Sequence, residues 1–512
     1  MRVLQRVVVG IATVTVGIAS MSACVGETDA DRSKETASAV PPGTPPELAA
    51  FYRQKPSWSD CQSGFQCTTV KVPVDYAKPG SGELKISVIR LPAQNKAQRI
   101  GSLITNPGGP GGSGVEFIRN SASAFSPALR NRFDIVGFDP RGVGASEAVR
   151  CLDNRQLDRY FATDSSPDDQ AEVDKLVAAG KGFAGGCAAR SARLLPHVGT
   201  LNAARDMDVL RAALGDKQMT YFGASYGTYL GAFYADQFPK NVRALVLDGA
   251  VDPKLPAVQI NLEQAKGFER ALRAFAADCV RTTGCPLGTS TDAALNTVSD
   301  LLAQADEAPL ANSLGDGRQV TEALVAAGIA AALYQKEAWP TLRLALARAI
   351  DDNDGTLLLK LSDLLTERRE DGNYSNLMEA NLAVNCVDKP FPGDPATYEK
   401  DAAAAKKVAP RFGPFIVWGS IPCAYWPVKT AAQPPAVTAA GAKPILVIGT
   451  TRDPATPYGW SQRLAAQLES GVLLSLDGDG HTAYLAGNRC VGQAVDRYVI
   501  QGTVPEEGTM CK

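Results

Sequence analysis

Histidine is almost absent from this chain: 512 residues include two, His197 and His481. That scarcity excludes multi-histidine metal centres, and the cysteines do not substitute, because no pair has the Cys-x-x-Cys spacing of a zinc or redox site. An excess of one charge is missing too. The net charge is −2, so there is no basic stripe to draw nucleic acid and no global field to steer an ionic partner. The apolar stretch "VVVGIATVTVGIA" near the start falls short of the about 20 residues that a comfortable membrane span requires. Hydrophobic residues at 45% and charged residues at 21% exclude a disordered chain and a polytopic membrane protein alike. No motif requires a metal or a cofactor, and any partner has to be selected by a site.

What is present at the N-terminus reads as an address. Arg2 and Arg6 precede the apolar stretch, and "MSAC" closes it with small residues before Cys24, the order of an export signal. "MSAC" resembles the lipobox of bacterial lipoproteins, with Met21 where leucine is commoner. Residues 1–23 therefore read as a lipoprotein-type signal peptide, with Cys24 lipidated at the outer face of the membrane; simple secretion and a short anchor are the alternatives. Eleven cysteines is an odd number, and setting Cys24 aside leaves ten, which can pair completely in an oxidising compartment. Several neighbours are close in sequence, so sequential pairing is expected.

Residues 24–50 are polar, Pro-rich and without periodicity, the composition of a disordered tether, and folding is expected to begin near Phe51. "TTVKVPVDY" and "LKISVIRLPA" alternate like hairpin strands, whereas "GSLITNPGG" and "FDIVGFDP" are nearly continuous apolar runs, as in strands buried on both faces. "MTYFGAS", "RALVLDGA", "KPILVIGT" and "GVLLSLDG" come later, each leading into a loop or helix. Strands alternating with helices imply an α/β fold with a mainly parallel central sheet. Residues 251–440 break that rhythm with Ala- and Leu-rich helical runs, too long for a loop. The expected organisation is a core in two parts, 51–250 and 441–512, separated by a large helical lid insertion over 251–440.

"YFGASYGTYLGAFYADQFP", residues 221–239, sets a lone serine between glycines where a buried strand gives way to a helix. Gly-x-Ser-x-Gly in that context is a nucleophile elbow: the strained turn lifts Ser225, and Gly223 and Gly227 avoid collision between strand and helix. The pattern alone is weak in a chain with 47 glycines; the flanking strand and helix give it weight. A serine hydroxyl needs a base to take its proton. The chain order Ser, acid, His selects His481, in "DGDGHTAYL", over His197, which reads as structural. The acid that orients the imidazole is assigned to Asp453, after the strand "PILVIGTTR"; Asp477 and Asp479 are nearer to His481 in sequence and are the alternatives. Thr456 is placed to lend a hydroxyl to the same corner or to serve the turn alone. For the oxyanion, "PGGPGGSG" at 107–114 offers closely spaced backbone donors, with Gly109 the loop donor and Tyr226, after the nucleophile, the second. A phosphate cradle is excluded, since no Gly-Lys-Ser/Thr comes after it.

Together "NPGGPGGSG", "FDIVGFDPRGVGAS", "YFGASYGTYLG", "ALVLDGAVDP", "NCVDKP", "DPATPY" and "DGHT" resemble the secreted tripeptidyl aminopeptidase family of α/β-hydrolases, exported serine enzymes that include mycobacterial cell-envelope members. The resemblance runs from about residue 50 to the C-terminus. It implies the α/β-hydrolase fold with a lid, a triad at Ser225, Asp453 and His481, and release of short peptides from free N-termini. An exopeptidase of this kind needs a buried acid for the substrate ammonium. "NLMEANLAVNCVDKP" offers Glu379 and Asp388, expected close together; solvated helix acids are the plain alternative. Two other functions stand beside the peptidase: an esterase or lipase with the same triad acting on a small acyl substrate, and a non-catalytic binding lipoprotein on a hydrolase scaffold.

Overall fold

Ten strands form a single sheet in the computed structural model, which describes residues 40, 44–428, 430 and 436–512. In chain order they are β1 (Ser59–Asp60), β2 (Gln66–Pro73), β3 (Glu83–Leu91), β4 (Gly101–Asn106), β5 (Phe133–Phe138), β6 (Met219–Ala224), β7 (Val242–Asp248), β8 (Ile445–Arg452), β9 (Gly471–Asp479) and β10 (Met510–Cys511). The spatial order is β1-β2-β3-β5-β4-β6-β7-β8-β9-β10. Strands β1 to β3 pair antiparallel, β3 meets β5 antiparallel, and every pair from β5 to β10 is parallel. The alternating segments thus became the hairpin edge, and the continuous apolar runs β4, β5 and β6 are buried at every residue. This is the mainly parallel α/β sheet anticipated from the strand–helix rhythm.

The side-chain period of two divides each central strand between two cores. Val136, Tyr221, Leu247 and Val447 meet the helices Thr200–Ala213 and Tyr226–Gln237 on one face. Ile135, Phe222, Val246 and Ile448 meet Gly114–Ser121 and Arg489–Gln501 on the other. Each fully buried Leu, Ile or Phe contributes about 1.5–3 kcal/mol. Because β4, β6, β7, β8 and β9 run parallel, their carboxyl ends emerge along one edge, and that edge carries the site.

Between β7 and β8 the chain is helical, from Ala257–Arg281 to Ile421–Ala424, with a hydrophobic core of its own around Phe275, Val298, Leu324, Ile329 and Leu346. Two expectations about boundaries need correction. Folding starts before residue 50, because Pro46–Tyr52 is a helix with Pro46 in its first turn and Ala49, Phe51 and Tyr52 buried. Segment 154–191, expected to belong to the core alone, forms two helices of which the second packs its Val173 and Leu176 against Tyr398, Trp418 and Ile421 of the inserted region. Residues 1–23, read as a signal peptide, and Cys24 lie outside the described residues, as do residues 25–39 of the expected tether.

The ten remaining cysteines pair sequentially, as expected: Cys61–Cys67, Cys151–Cys187, Cys279–Cys285, Cys386–Cys423 and Cys490–Cys511. Two of these close loops of 36 and 37 residues, and each removes about 4 kcal/mol of chain entropy from the unfolded state. Among the described residues no helix is long and apolar enough to cross a membrane.

Candidate active site

Ser225 sits between β6 and the helix Tyr226–Gln237 at φ 56°, ψ −126°, a conformation that non-glycine residues rarely adopt. The flanking glycines permit it by close approach. A Cβ on Gly223 would lie 2.4 Å from the Gly227 carbonyl oxygen, and one on Gly227 would lie 2.7 Å from that of Asn106. The Ser225 N–H donates to the Asp248 carbonyl at the end of β7 (2.9 Å), which locks the elbow to the sheet.

Asp453 leaves the end of β8 and is 1% exposed. Its Oδ1 accepts from the N–H groups of Ala455 (2.9 Å) and Thr456 (2.8 Å); its Oδ2 accepts from Thr456 Oγ1 (3.0 Å) and the Thr482 N–H (3.3 Å). Both oxygens lie 2.9 Å from His481 Nδ1. Thr456 Oγ1 is also 3.3 Å from that nitrogen, so it joins the corner rather than only the turn. Asp477 and Asp479 are not the partners: Arg452 takes both, at 2.8 and 2.6 Å. Burial disfavours a charged His481, but the charge and hydrogen bond of Asp453, with help from Asp248, outweigh it and raise the imidazole above its ordinary range. His481 Nε2 is buried and has no hydrogen-bond partner among the described residues, which leaves it free to take a proton. His197 lies elsewhere, its carbonyl bound by Arg141.

The loop after β4 packs directly on the serine. Gly108 (φ 101°) comes so close that a Cβ there would stand 2.8 Å from Ser225 Cβ and 3.1 Å from the Tyr226 nitrogen. Gly109 is next in the chain and lines the same cavity as Ser225 and Tyr226. Tyr226 opens its helix, so its N–H is among the first-turn donors with no intrahelical acceptor. Asn381 steadies the loop from the inserted region by donating to the Pro110 carbonyl (3.1 Å).

The cavity holds about 440 Å³. Its walls are largely apolar, with the rings of Tyr160, Phe161, Tyr229, Phe268, Phe415 and Trp418 among them, and a polar group of Asn381, Asn385, Asp388 and Lys389 interrupts them. Asp388 accepts from the Thr200 N–H (2.8 Å) and hydroxyl, and the same hydroxyl is 2.6 Å from Tyr226 Oη. Burial pushes its carboxyl up to about 6 against those bonds and the charge of Lys389. Lys389 is pushed down to about 8 by burial and donates to the carbonyls of Pro253 (3.3 Å) and Leu255 (3.0 Å).

Glu379 does not lie beside Asp388, which corrects the expectation that the two are close together, with one or both available as the anchor. Nine positions at about 100° each put them on opposite sides of the helix Leu377–Asp388. Glu379 turns from the cavity and spends its carboxylate on the Cys151 and Leu152 N–H groups and on Arg150. Apart from the site, the carboxylates of Asp164, Glu172 and Asp306 converge within 4.8 Å, as do those of Asp168, Asp169 and Glu172; these are the groups geometry offers to a cation, and none belongs to the serine corner.

Known proteins are similar to this chain in sequence. The family model described as "TAP-like protein" matches residues 409–511. "Serine protease Hip1" of Mycobacterium tuberculosis is 39% identical over 484 residues, covering 90% of this chain and 91% of that protein. The chain belongs to the TAP-like family of α/β-hydrolases. "Carboxylesterase B" of the same organism is 38% identical over 502 residues (94% of both chains), and "Tripeptidyl aminopeptidase" of Streptomyces lividans is 31% identical over 469 residues (89% of this chain, 86% of that one). This TAP-like hydrolase is therefore a serine hydrolase whose relatives bear peptidase and esterase names.

Two residues at the TAP-like hydrolase's candidate site, Asp248 and Lys389, escaped sequence reading. Asp248, buried at the end of β7, accepts from the Ala483 (3.0 Å) and Tyr484 (2.8 Å) N–H groups and so shapes the loop that carries His481. Burial raises its carboxyl to about 6 against those bonds. An acid closing the apolar run "RALVLD" was the available signal. Lys389 had a weaker one, a cation beside Asp388.

Proposed function

We propose that this protein is an exported serine aminopeptidase that releases short peptides from free N-termini. His481, oriented by Asp453, removes the Ser225 proton as the hydroxyl attacks a carbonyl. The resulting oxyanion is held by the N–H groups of Gly109 and Tyr226. Collapse expels the amine with a proton from His481 and leaves an acyl-enzyme, which water activated by His481 then hydrolyses. The observation that carries the peptidase reading is Asp388: the one carboxylate among the described residues lining a cavity that also holds Ser225 is a partner for a substrate ammonium. The neighbouring Lys389 limits that attraction, which makes the polar cluster selective for a small, well-placed cation. "Tripeptidyl aminopeptidase" among the relatives supports the same reading.

Paired substrates test it. A tripeptide amide with a free N-terminus should be cleaved with kcat/KM about 100-fold above its N-acetylated twin, and Asp388→Asn should erase most of that preference. Since the Asp388 carboxyl is charged only above about 6, the preference should also shrink as pH falls below that value. Equal cleavage of both substrates at neutral pH would dismiss the ammonium anchor. It would favour the second reading, a carboxylesterase, which the aromatic walls and the "Carboxylesterase B" relative support.

Export rests on the N-terminal pattern and on five disulfides. Acylation of Cys24 predicts a mature protein beginning at that residue and bearing lipid; mass spectrometry finding an unmodified or differently cleaved N-terminus would remove the anchor.

A further inference from the structure

The inserted helices do more than cover the cavity. The helix Glu322–Leu333 ends in a corner, residues 334–336, that grips the loop carrying His481. The Tyr334 carbonyl accepts the His481 backbone N–H at 2.7 Å. Gln335 Nε2 donates to the His481 carbonyl (3.4 Å), and Lys336 pairs with Asp479 (3.2 Å) two residues earlier. The Tyr334 ring meets the imidazole edge to face, with centroids 5.4 Å apart and planes at 85°. Between these contacts stands Gly480 (φ 108°), where a Cβ would come within 3.2 Å of the Tyr334 oxygen. The histidine's side chain is thus oriented by Asp453 from the sheet, while its backbone N–H and C=O are both held by the inserted region. Tyr334 itself lines the cavity, with Phe268 behind it at 5.5 Å.

We propose that Tyr334 is a positioning residue for the base: the 334–336 corner seats His481, so the docking of the inserted helices sets the imidazole's aim at Ser225. The inference rests on the triad reading above, and its physical ground is how narrow the tolerance is. A displacement of about 1 Å in a reacting group can cost on the order of 100-fold in rate, and the loop on either side of His481 includes two residues at positive φ, Gly480 and Thr482. At Thr482, a β-branched residue, such a conformation persists only where its surroundings over-determine it. The Tyr334 hydroxyl takes no part in any of these contacts; the ring and the backbone do.

The test uses the full mature protein and 4-nitrophenyl acetate, whose acyl group is too short to need the aromatic walls. Tyr334→Ala should lower kcat by about 10- to 100-fold with KM held within about 2-fold, because orientation is lost rather than binding. Tyr334→Phe should restore kcat. The exposed pair Gln335→Ala/Lys336→Ala, which leaves the ring in place, should lower kcat by about 3- to 10-fold with the same unchanged KM. A change confined to KM, or no rescue by phenylalanine, would reduce Tyr334 to a cavity wall and overturn the proposal. Should Tyr334→Ala fail to fold, the double variant decides: an unaltered kcat overturns the proposal, and a lowered kcat supports it. His481→Ala runs alongside. Activity surviving in that variant refutes the triad reading itself, a failure distinct from that of the Tyr334 inference.

Discussion

Ser225→Ala is expected to lower hydrolysis of peptides and esters alike by at least about 10⁴-fold while leaving the melting temperature within a few degrees of the parent. The two halves of that result have separate causes. Ser225 carries the hydroxyl at the strained position of the elbow, where strand β6 gives way to a helix beside Gly108 and the first-turn N–H of Tyr226. On the proposed mechanism no acyl-enzyme then forms, and what remains is binding and oxyanion stabilisation around a substrate that only water can attack. The fold loses little, because no hydrogen bond of that hydroxyl is found among the described residues and alanine meets the same φ of 56° that serine already tolerates. Progress curves on a free tripeptide amide and an acetate ester, with thermal melts of both proteins, measure the two halves together. Turnover of either substrate above about 1% of the parent would move the nucleophile elsewhere.

Asp453→Asn is expected to cost roughly 10³–10⁴-fold in kcat, with a smaller loss of stability. Four donors besides His481 point at this carboxylate: the N–H groups of Ala455, Thr456 and Thr482 and the Thr456 hydroxyl. An asparagine must set its NH2 group against some of them. The Oδ1 position faces two backbone N–H groups that cannot turn away, whereas the Oδ2 position faces a rotatable hydroxyl and one longer bond, so the amide NH2 settles on the Oδ2 side. From there it faces Nδ1 as a donor and favours the tautomer whose proton sits on Nε2, the nitrogen that has to accept from Ser225. It also removes the charge that holds the imidazole above its ordinary range, and so less stabilises the imidazolium formed during attack. A variant retaining more than about a tenth of parental kcat would argue that His481 is oriented by another group, with Asp248, on the backbone of the same loop, the first to examine.

Much of the candidate site was legible in the chain because its parts sit at strand ends. A buried strand announces itself by a short apolar run, and the residues just past its end lie by necessity at the sheet edge. Parallel pairing of β4, β6, β8 and β9 then carries 107–109, Ser225, Asp453 and His481 to the same edge without further information. The choice of Asp453 over Asp477 and Asp479 came from the same reasoning, and the sheet satisfies it: β9 still runs through both nearer acids, where Arg452 of β8 neutralises them. The pairing of cysteines was legible from proximity alone.

The cavity was far less so. Glu379 and Asp388 are close in sequence and opposed in space, since a helix turns them half a revolution apart, and only the docking of that helix decides which side looks inward. The helices at 154–191 fall in the span assigned to the core, yet Tyr160 and Phe161 wall the cavity.

By itself, then, the sequence determined the mainly parallel α/β sheet, the elbow and the strand-end placement of Ser225, Asp453 and His481, because period-two burial, glycine at a crowded turn and the position of a residue after a strand are all short-range consequences of local chemistry. Only the tertiary structure decided which acid faces the substrate space, which aromatic rings line it and what seats the histidine. Those depend on the inserted helices closing over the sheet edge, where contacts such as Gln335 to His481 join residues 146 positions apart and draw their energy from packing that no local stretch of sequence contains.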